Sequence, residues 1–197
     1  MTVDLKKDIG AYRARSGRFD VVDLPPLSYL MIDGHGDPNT SPAYAEAVST
    51  VFAVAYRLKF RSKRELDRDY VVMPLEALWW ADDMAAFTVD REKSRWRWTL
   101  LNLVPEWITI ADVERALAAA APAGHPLRLE TLAEGRCVQT LHVGPYDEEG
   151  PVLAEMHDVV IPERGMRMTG RHHEIYLSDV RRTDPARLKT ILRQPVE

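Results

Sequence analysis

Apolar and polar positions change their period several times along the chain, and each change marks an element. From Val21 to about Ile32 they alternate as in a strand, interrupted by Pro25 and Pro26, whose missing N–H groups predict an edge or a bend there. Asp33-Gly34-His35-Gly36-Asp37-Pro38-Asn39 then gathers enough glycine, proline, Asp and Asn to predict a chain reversal. Ser41-Pro42 has the form of an N-cap with proline in the first turn. Tyr44, Val48, Val51, Ala55 and Leu58 follow at spacings of three and four, which predicts an amphipathic helix. Its basic end, residues 59–64, suits a helix C-terminus, where cations meet the negative end of the dipole. Tyr70 to Trp80 predicts a further strand, and Phe87-Thr88-Val89 with Trp96-Arg97-Trp98-Thr99-Leu100 another.

The same order then returns. Thr109-Ile110-Ala111-Asp112 is a capping-box pattern opening an alanine-rich connector helix, about 109–121, that stops at Pro122-Ala123-Gly124. Cys137 to Val143 reads as a strand, Gly144-Pro145-Tyr146 as a turn, and Glu149 to about Val160 as a helix with Val152, Met156 and Val159 on one face. Arg171 to Asp179 is a strand, and after Asp184-Pro185 the segment Lys189 to Val196 alternates like an edge strand, which leaves room for a homodimer. Residues 1–20 are polar, with Lys6, Lys7, Arg13, Arg15 and Arg18, and predict an arm laid on the surface. The expected fold is α+β: one domain over residues 1–197, with a first half at about 21–106 and a second at about 130–197. Each half is a strand-helix-strand-strand module, the two related by a pseudo-twofold axis. With the helices on one side of each sheet, the opposite faces are expected to meet at a ligand groove between the halves.

Composition narrows the class. With 46% hydrophobic and 28% charged residues the chain is of ordinary globular make-up, and a net charge of −4 argues against a surface that tracks phosphates, so no direct nucleic-acid contact is expected. A single cysteine, Cys137, offers no disulfide framework and fits a reducing, cytoplasmic setting as a small apolar strand residue. No run approaches the ~20 apolar residues that span a bilayer, so no membrane contact is expected. His35, His142, His172 and His173 include no pair at the i, i+4 spacing of a helical zinc site, and neither a metal nor a cofactor is expected.

The stretch Arg171-His172-His173-Glu174-Ile175-Tyr176-Leu177-Ser178-Asp179 carries the chemistry. Alternation sends Ile175 and Leu177 to one face and His172, Glu174, Tyr176 and Ser178 to the other. Glutamate is disfavoured in strands, so its place beside aromatic residues asks for a reason. The plainer reading is a rim carboxylate paired with Arg171 or Arg181; the sharper one is the floor of a pocket.

Four stretches together resemble the GyrI-like small-molecule-binding family over nearly the whole chain: residues 29–39, Leu78-Trp79-Trp80, His142-Val143-Gly144-Pro145-Tyr146, and His172 to Asp179. The resemblance implies a groove for flat, lipophilic or cationic compounds, with the acidic residue at Glu174 contacting the ligand. It also implies relatives that serve as ligand-sensing halves of transcription activators or as stand-alone proteins associated with DNA gyrase. The double tryptophan and the His-His-Glu run look closer to a stand-alone subgroup that hydrolyses the cyclopropane ring of DNA-alkylating cyclopropanoid compounds.

On that basis Glu174 is the expected base that deprotonates water and Tyr146 the expected donor that polarises a ligand carbonyl. Trp80, Trp96, Trp98, Trp107, Tyr176 and His172 are the expected ligand-binding residues, with rings contributing about 0.5–2 kcal/mol each by stacking or cation–π contact. Core packing is the competing role for the tryptophans, and since Trp79 and Trp80 point opposite ways, at most one of them faces a groove. The alternative function is non-catalytic: a drug-sequestering protein, or a partner of DNA gyrase or of a transcription factor.

Overall fold

The computed structural model describes residues 2–83, 92–121 and 125–197. In chain order they form β1 (Thr2–Val3), α1 (Leu5–Asp8), β2 (Asp20–Leu24), β3 (Leu27–His35), α2 (Pro42–Glu65), β4 (Asp69–Tyr70), β5 (Glu76–Trp80) and β6 (Arg97–Leu103). Then come α3 (Ile110–Ala118), β7 (Arg128–Leu132), β8 (Gly135–Val143), α4 (Gly150–Ala154), a π-helical turn (Glu155–Val160), α5 (Ile161–Glu163), β9 (His172–Tyr176) and β10 (Lys189–Pro195). The expected strand residues Phe87-Thr88-Val89 and the expected helix end at Pro122-Ala123-Gly124 lie outside the described residues.

The expected helix starts are there for the expected reasons. The Ser41 hydroxyl accepts from the Tyr44 N–H at the start of α2, and Thr109 and Asp112 complete a reciprocal capping box on α3. Pro25 and Pro26 do more than bend a strand: they cut it into β2 and β3, which do not pair with each other. The helix expected from Glu149 to Val160 is instead α4, a π turn and α5 in succession, and β7 was not anticipated.

Eight strands form one antiparallel sheet in the order β2-β8-β10-β9-β5-β6-β3-β7. Each module puts its third strand in the middle, β3-β6-β5 and β8-β10-β9, and the modules join where β5 pairs with β9. β10, read from sequence as an edge, lies between β8 and β9, so the edge-strand argument for a dimer falls; the edges are β2 and β7. The alternating pattern misled because both faces of this sheet are covered, and a covered polar position looks in sequence like a solvated one.

One face carries the helices. Leu30, Ile32, Ala77, Trp79, Trp98 and Leu100 of the sheet pack against Ala47, Val51, Val54, Ala55 and Leu58 of α2, while Val138 and Leu192 pack against Met156 and Ile161 of the α4–α5 segment. At roughly 1.5–3 kcal/mol per fully buried large apolar side chain, these contacts are the main force holding helix to sheet.

The other face was expected to meet its counterpart across a groove. It is filled instead by the N-terminal arm, because the two modules share a single sheet and leave no second one to face. Tyr12 and Ala11 of the arm are buried with Tyr29, Met31, Leu78, Leu101 and Ile175 near them. Beneath the arm lies a buried ionic network. His173 meets Glu76 at 3.0 Å through Nε2 and Glu134 at 2.9 Å through Nδ1, and Arg193 donates to Glu134, Gln139 and the Ala11 carbonyl, each at 3.1 Å. Burial alone would discharge His173, but Glu134 and Glu76 outweigh it and raise its pKa to about 9. Burial likewise opposes the Glu134 anion, yet His173 and Arg193 lower its pKa to about 2.

Candidate functional site

The site forms on the helix-bearing face, over the β5–β9 seam between the modules. β9 directs His172, Glu174 and Tyr176 to this face and His173 and Ile175 to the other, as alternation predicts. Ala77 stands directly across from Glu174.

A hydrogen-bond chain fixes the arrangement. The Trp79 indole N–H donates to the Tyr176 hydroxyl at 3.0 Å, and that hydroxyl donates to Glu174 Oε2 at 2.7 Å. With its proton committed to Glu174, the tyrosine has an oxygen left to accept from tryptophan, so each link orients the next. Glu174 Oε1 lies 3.5 Å from His172 Nε2, close enough for electrostatic contact but not for a well-aligned hydrogen bond. Neither candidate arginine of the plainer reading pairs with Glu174: Arg171 lies over the Trp80 ring, 3.5 Å from its centroid, and Arg181 binds Asp179.

Aromatic rings enclose the carboxylate. Tyr44 in the first turn of α2 stacks on Trp79 with centroids 6.2 Å apart, Trp96 meets Trp79 edge-on at 5.7 Å, and Tyr146 meets Tyr176 edge-on at 5.4 Å. Burial raises the pKa of Tyr176 and Tyr44, with the Glu174 charge adding to it, so both phenols stay protonated donors. Tyr146 is pushed up to about 12 by burial, then by Glu149 and Glu174. A second carboxyl group therefore shares the site. Glu149 is 5% exposed, and burial followed by the Glu174 charge pushes its pKa well above the usual carboxylate range. His157 of the π turn meets His172 edge-on at 5.9 Å, and burial and that neighbour lower its pKa to about 4, so it is neutral at pH 7.

Of the residues expected from sequence, Glu174, Tyr146, Tyr176, His172 and Trp96 come together here. Trp98 lies beneath them, 1% exposed, edge-on to Tyr44. Trp80 points to the opposite face, under Arg171, because its strand neighbour Trp79 takes the helix face. Trp107 sits at the far end of α2, where its N–H donates to Ser62 and Arg68 lies over its ring. Sequence reasoning missed Trp79, Tyr44, Glu149 and His157. Trp79 was one of two residues only phase could separate, Tyr44 read as helix core, and Glu149 followed two other acids at the start of a helix with nothing to distinguish it. Among the described residues no cluster of three His, Cys, Asp or Glu side chains is arranged to hold a metal, and no helix is long and apolar enough to cross a membrane.

A mixed sheet-and-helix fold with an acidic group walled by aromatic rings is the form of a small-molecule-binding protein. The profile of the GyrI-like small molecule binding domain matches residues 18–197, and the chain belongs to that family. Three solved structures from Listeria innocua are similar over the full length of both chains. An uncharacterized conserved protein is 36% identical with a TM-score of 0.89, a hydrolase is 34% identical with a TM-score of 0.85, and a hydrolase encoded by lin2189 is 33% identical with a TM-score of 0.87. Comparison with curated proteins gave no match.

Proposed function

We propose that the protein binds a flat, lipophilic small molecule against the Tyr44–Trp79–Trp96–Tyr176–Tyr146 wall and hydrolyses it, with Glu174 as the base. The observation that carries this reading is the state of Glu174: one oxygen is held by Tyr176, and among the described residues the other has no hydrogen-bond partner, with only His172 near it at 3.5 Å and no lysine or arginine pairing with it. A carboxylate so placed can take a proton from water held at Oε1. The two similar Listeria proteins described as hydrolases support the enzymatic form.

Cyclopropanoid DNA-alkylating compounds are the substrate class that the sequence resemblance suggests, and the site suits their chemistry. Water bonds to the unsubstituted cyclopropane carbon and loses a proton to Glu174. The breaking ring bond sends its electron pair into the conjugated carbonyl, which becomes a phenolate, and the Tyr146 hydroxyl donates to that oxygen as charge develops. The rings hold the aromatic body and exclude bulk solvent.

A second reading, binding without turnover, is favoured by the same acidic, aromatic enclosure, which attracts an aromatic cation. Limiting protein mixed with a spirocyclopropyl cyclohexadienone separates the two by mass spectrometry. Many product equivalents per protein, lost in Glu174→Gln, support the hydrolase; ligand-dependent tryptophan quenching with no product leaves a binding protein.

A further inference from the structure

Glu149 is the buried carboxyl group that the mechanism above leaves without a task. It stands at the end of the 3-10 turn Tyr146–Glu148, immediately before α4, and its Oε1 is buried with no hydrogen-bond partner. Other buried carboxylates of this protein are paired: Glu76 and Glu134 flank His173, and Asp112 binds Arg61 and caps α3. No lysine, arginine or histidine among the described residues makes an ion pair with Glu149. An unpaired carboxyl group at this depth is stable only if it keeps its proton or meets a ligand.

Its neighbours indicate which. Burial and then the Glu174 charge disfavour the Glu149 anion, with Asp147 adding to them, and together they outweigh the Thr190 hydroxyl, which favours it. Two carboxyl groups sharing a desolvated space without a cation do not both ionise. Glu174 Oε2 accepts the Tyr176 proton and its Oε1 faces His172, whereas Glu149 Oε1 meets no donor. That leaves the proton on Glu149, three residues beyond Tyr146 on the same turn and acting on the same phenol. The unpartnered ring nitrogens of His172 and the Nε2 of His157 mark this part of the site as polar and unsatisfied too.

We propose that Glu149 is the acid partner of Glu174, held neutral and donating its proton to the ligand oxygen on which negative charge develops. This rests on the reading of the site given above and completes it. When water attacks the cyclopropane carbon, Glu174 gains the water proton and Glu149 gives its own to the phenolate, so the product leaves as a neutral phenol. Return of one proton from Glu174 to Glu149 by way of water restores both groups. The favoured ligands carry a conjugated carbonyl or another latent oxyanion at one edge of an aromatic body.

Difference infrared spectroscopy of the full chain at neutral pH, with and without a spirocyclopropyl cyclohexadienone probe, tests this directly. The expected result is a protonated-carboxyl C=O band in wild type and in Glu174→Gln that is absent from Glu149→Gln and shifts when the probe binds. In turnover, Glu149→Gln should still bind the probe but lose about 10²-fold or more in kcat, together with the alkaline limb of the wild-type pH profile. Glu149→Asp, which retains an acid, should keep the band and part of the rate, separating loss of the proton from loss of the fold. Absence of the band, a band unmoved by the probe, or a wild-type rate in Glu149→Gln overturns the assignment. A wild-type protein that binds the probe without turnover overturns the hydrolase reading alone, and the probe-induced shift still decides whether Glu149 donates to the ligand.

Discussion

Trp98 on β6 lies against Gly34, its direct cross-strand partner on β3, so closely that a Cβ at position 34 would stand 2.1 Å from the indole Cη2. The glycine that sequence places in a turn is thus part of the floor under the site. Trp98 is buried and held edge-on by Tyr44, so the ring has little freedom to yield. Gly34→Ala is expected to cost about 1–3 kcal/mol or more as overpacking, read as a lower midpoint in urea. Addition of Trp98→Phe should recover part of that loss, a non-additivity that two independent defects would not show.

Tyr176→Phe removes one hydroxyl that serves two partners, leaving the Trp79 N–H and Glu174 Oε2 without their hydrogen bonds. The expected cost is about 1–3 kcal/mol of stability. If Glu174 acts as the base, the freed carboxylate should also lose orientation, and kcat should fall more than probe affinity. Urea titration and steady-state kinetics on the same preparation check both.

Stability should fall on the alkaline side as His173 loses its proton. Its folded pKa of about 9 stands above the ordinary histidine value of 6.5, so its contribution is complete below about pH 6.5 and lost as pH rises through about 9. Glu134 has the opposite sign: lowered from 4.5 to about 2, it contributes fully above about pH 4.5 and loses its effect as pH falls through about 2. Urea midpoints measured from pH 6 to 10 should decline in wild type and flatten in His173→Gln, whose own stability is lower throughout.

Arg193→Met deletes a guanidinium that is fully buried and leaves Glu134 facing His173 alone, with the Ala11 carbonyl unpaired. Breaking one side of such a network is expected to cost about 3–5 kcal/mol. Because Arg193 also ties down the arm, amide exchange around Ala11 and Tyr12 should accelerate in this variant more than exchange in α2, as measured by mass spectrometry.

Sequence made some of this legible and hid the rest for physical reasons. The caps at Ser41 and Thr109 are local devices, and they read correctly because their partners lie three residues away. Strand alternation correctly put His172, Glu174 and Tyr176 on one face, since that depends on the strand alone. The neighbours of β10 depend on pairing between distant segments, which no local pattern records. Nothing local marks Glu76, Glu134, His173 and Arg193 for burial, and only their convergence from β5, the β7–β8 connection, β9 and β10 explains it. Trp79 and Trp80 differ in role by one step of phase, which adjacent identical residues conceal.

The edges of the sheet bear on how the chain reaches this state. β2 precedes the first module but pairs with β8 of the second, Asp20 opposite Gln139, while β7 precedes the second module and pairs with β3 of the first, Leu27 opposite Leu132. Each half thus holds a strand that the other needs, like two hands gripping each other's wrists. During synthesis β2 emerges early and waits for β8, so the sheet cannot close until the second half has left the ribosome. Such distant pairings slow folding. Cutting the chain at the connector should therefore yield two fragments that fold only on being mixed.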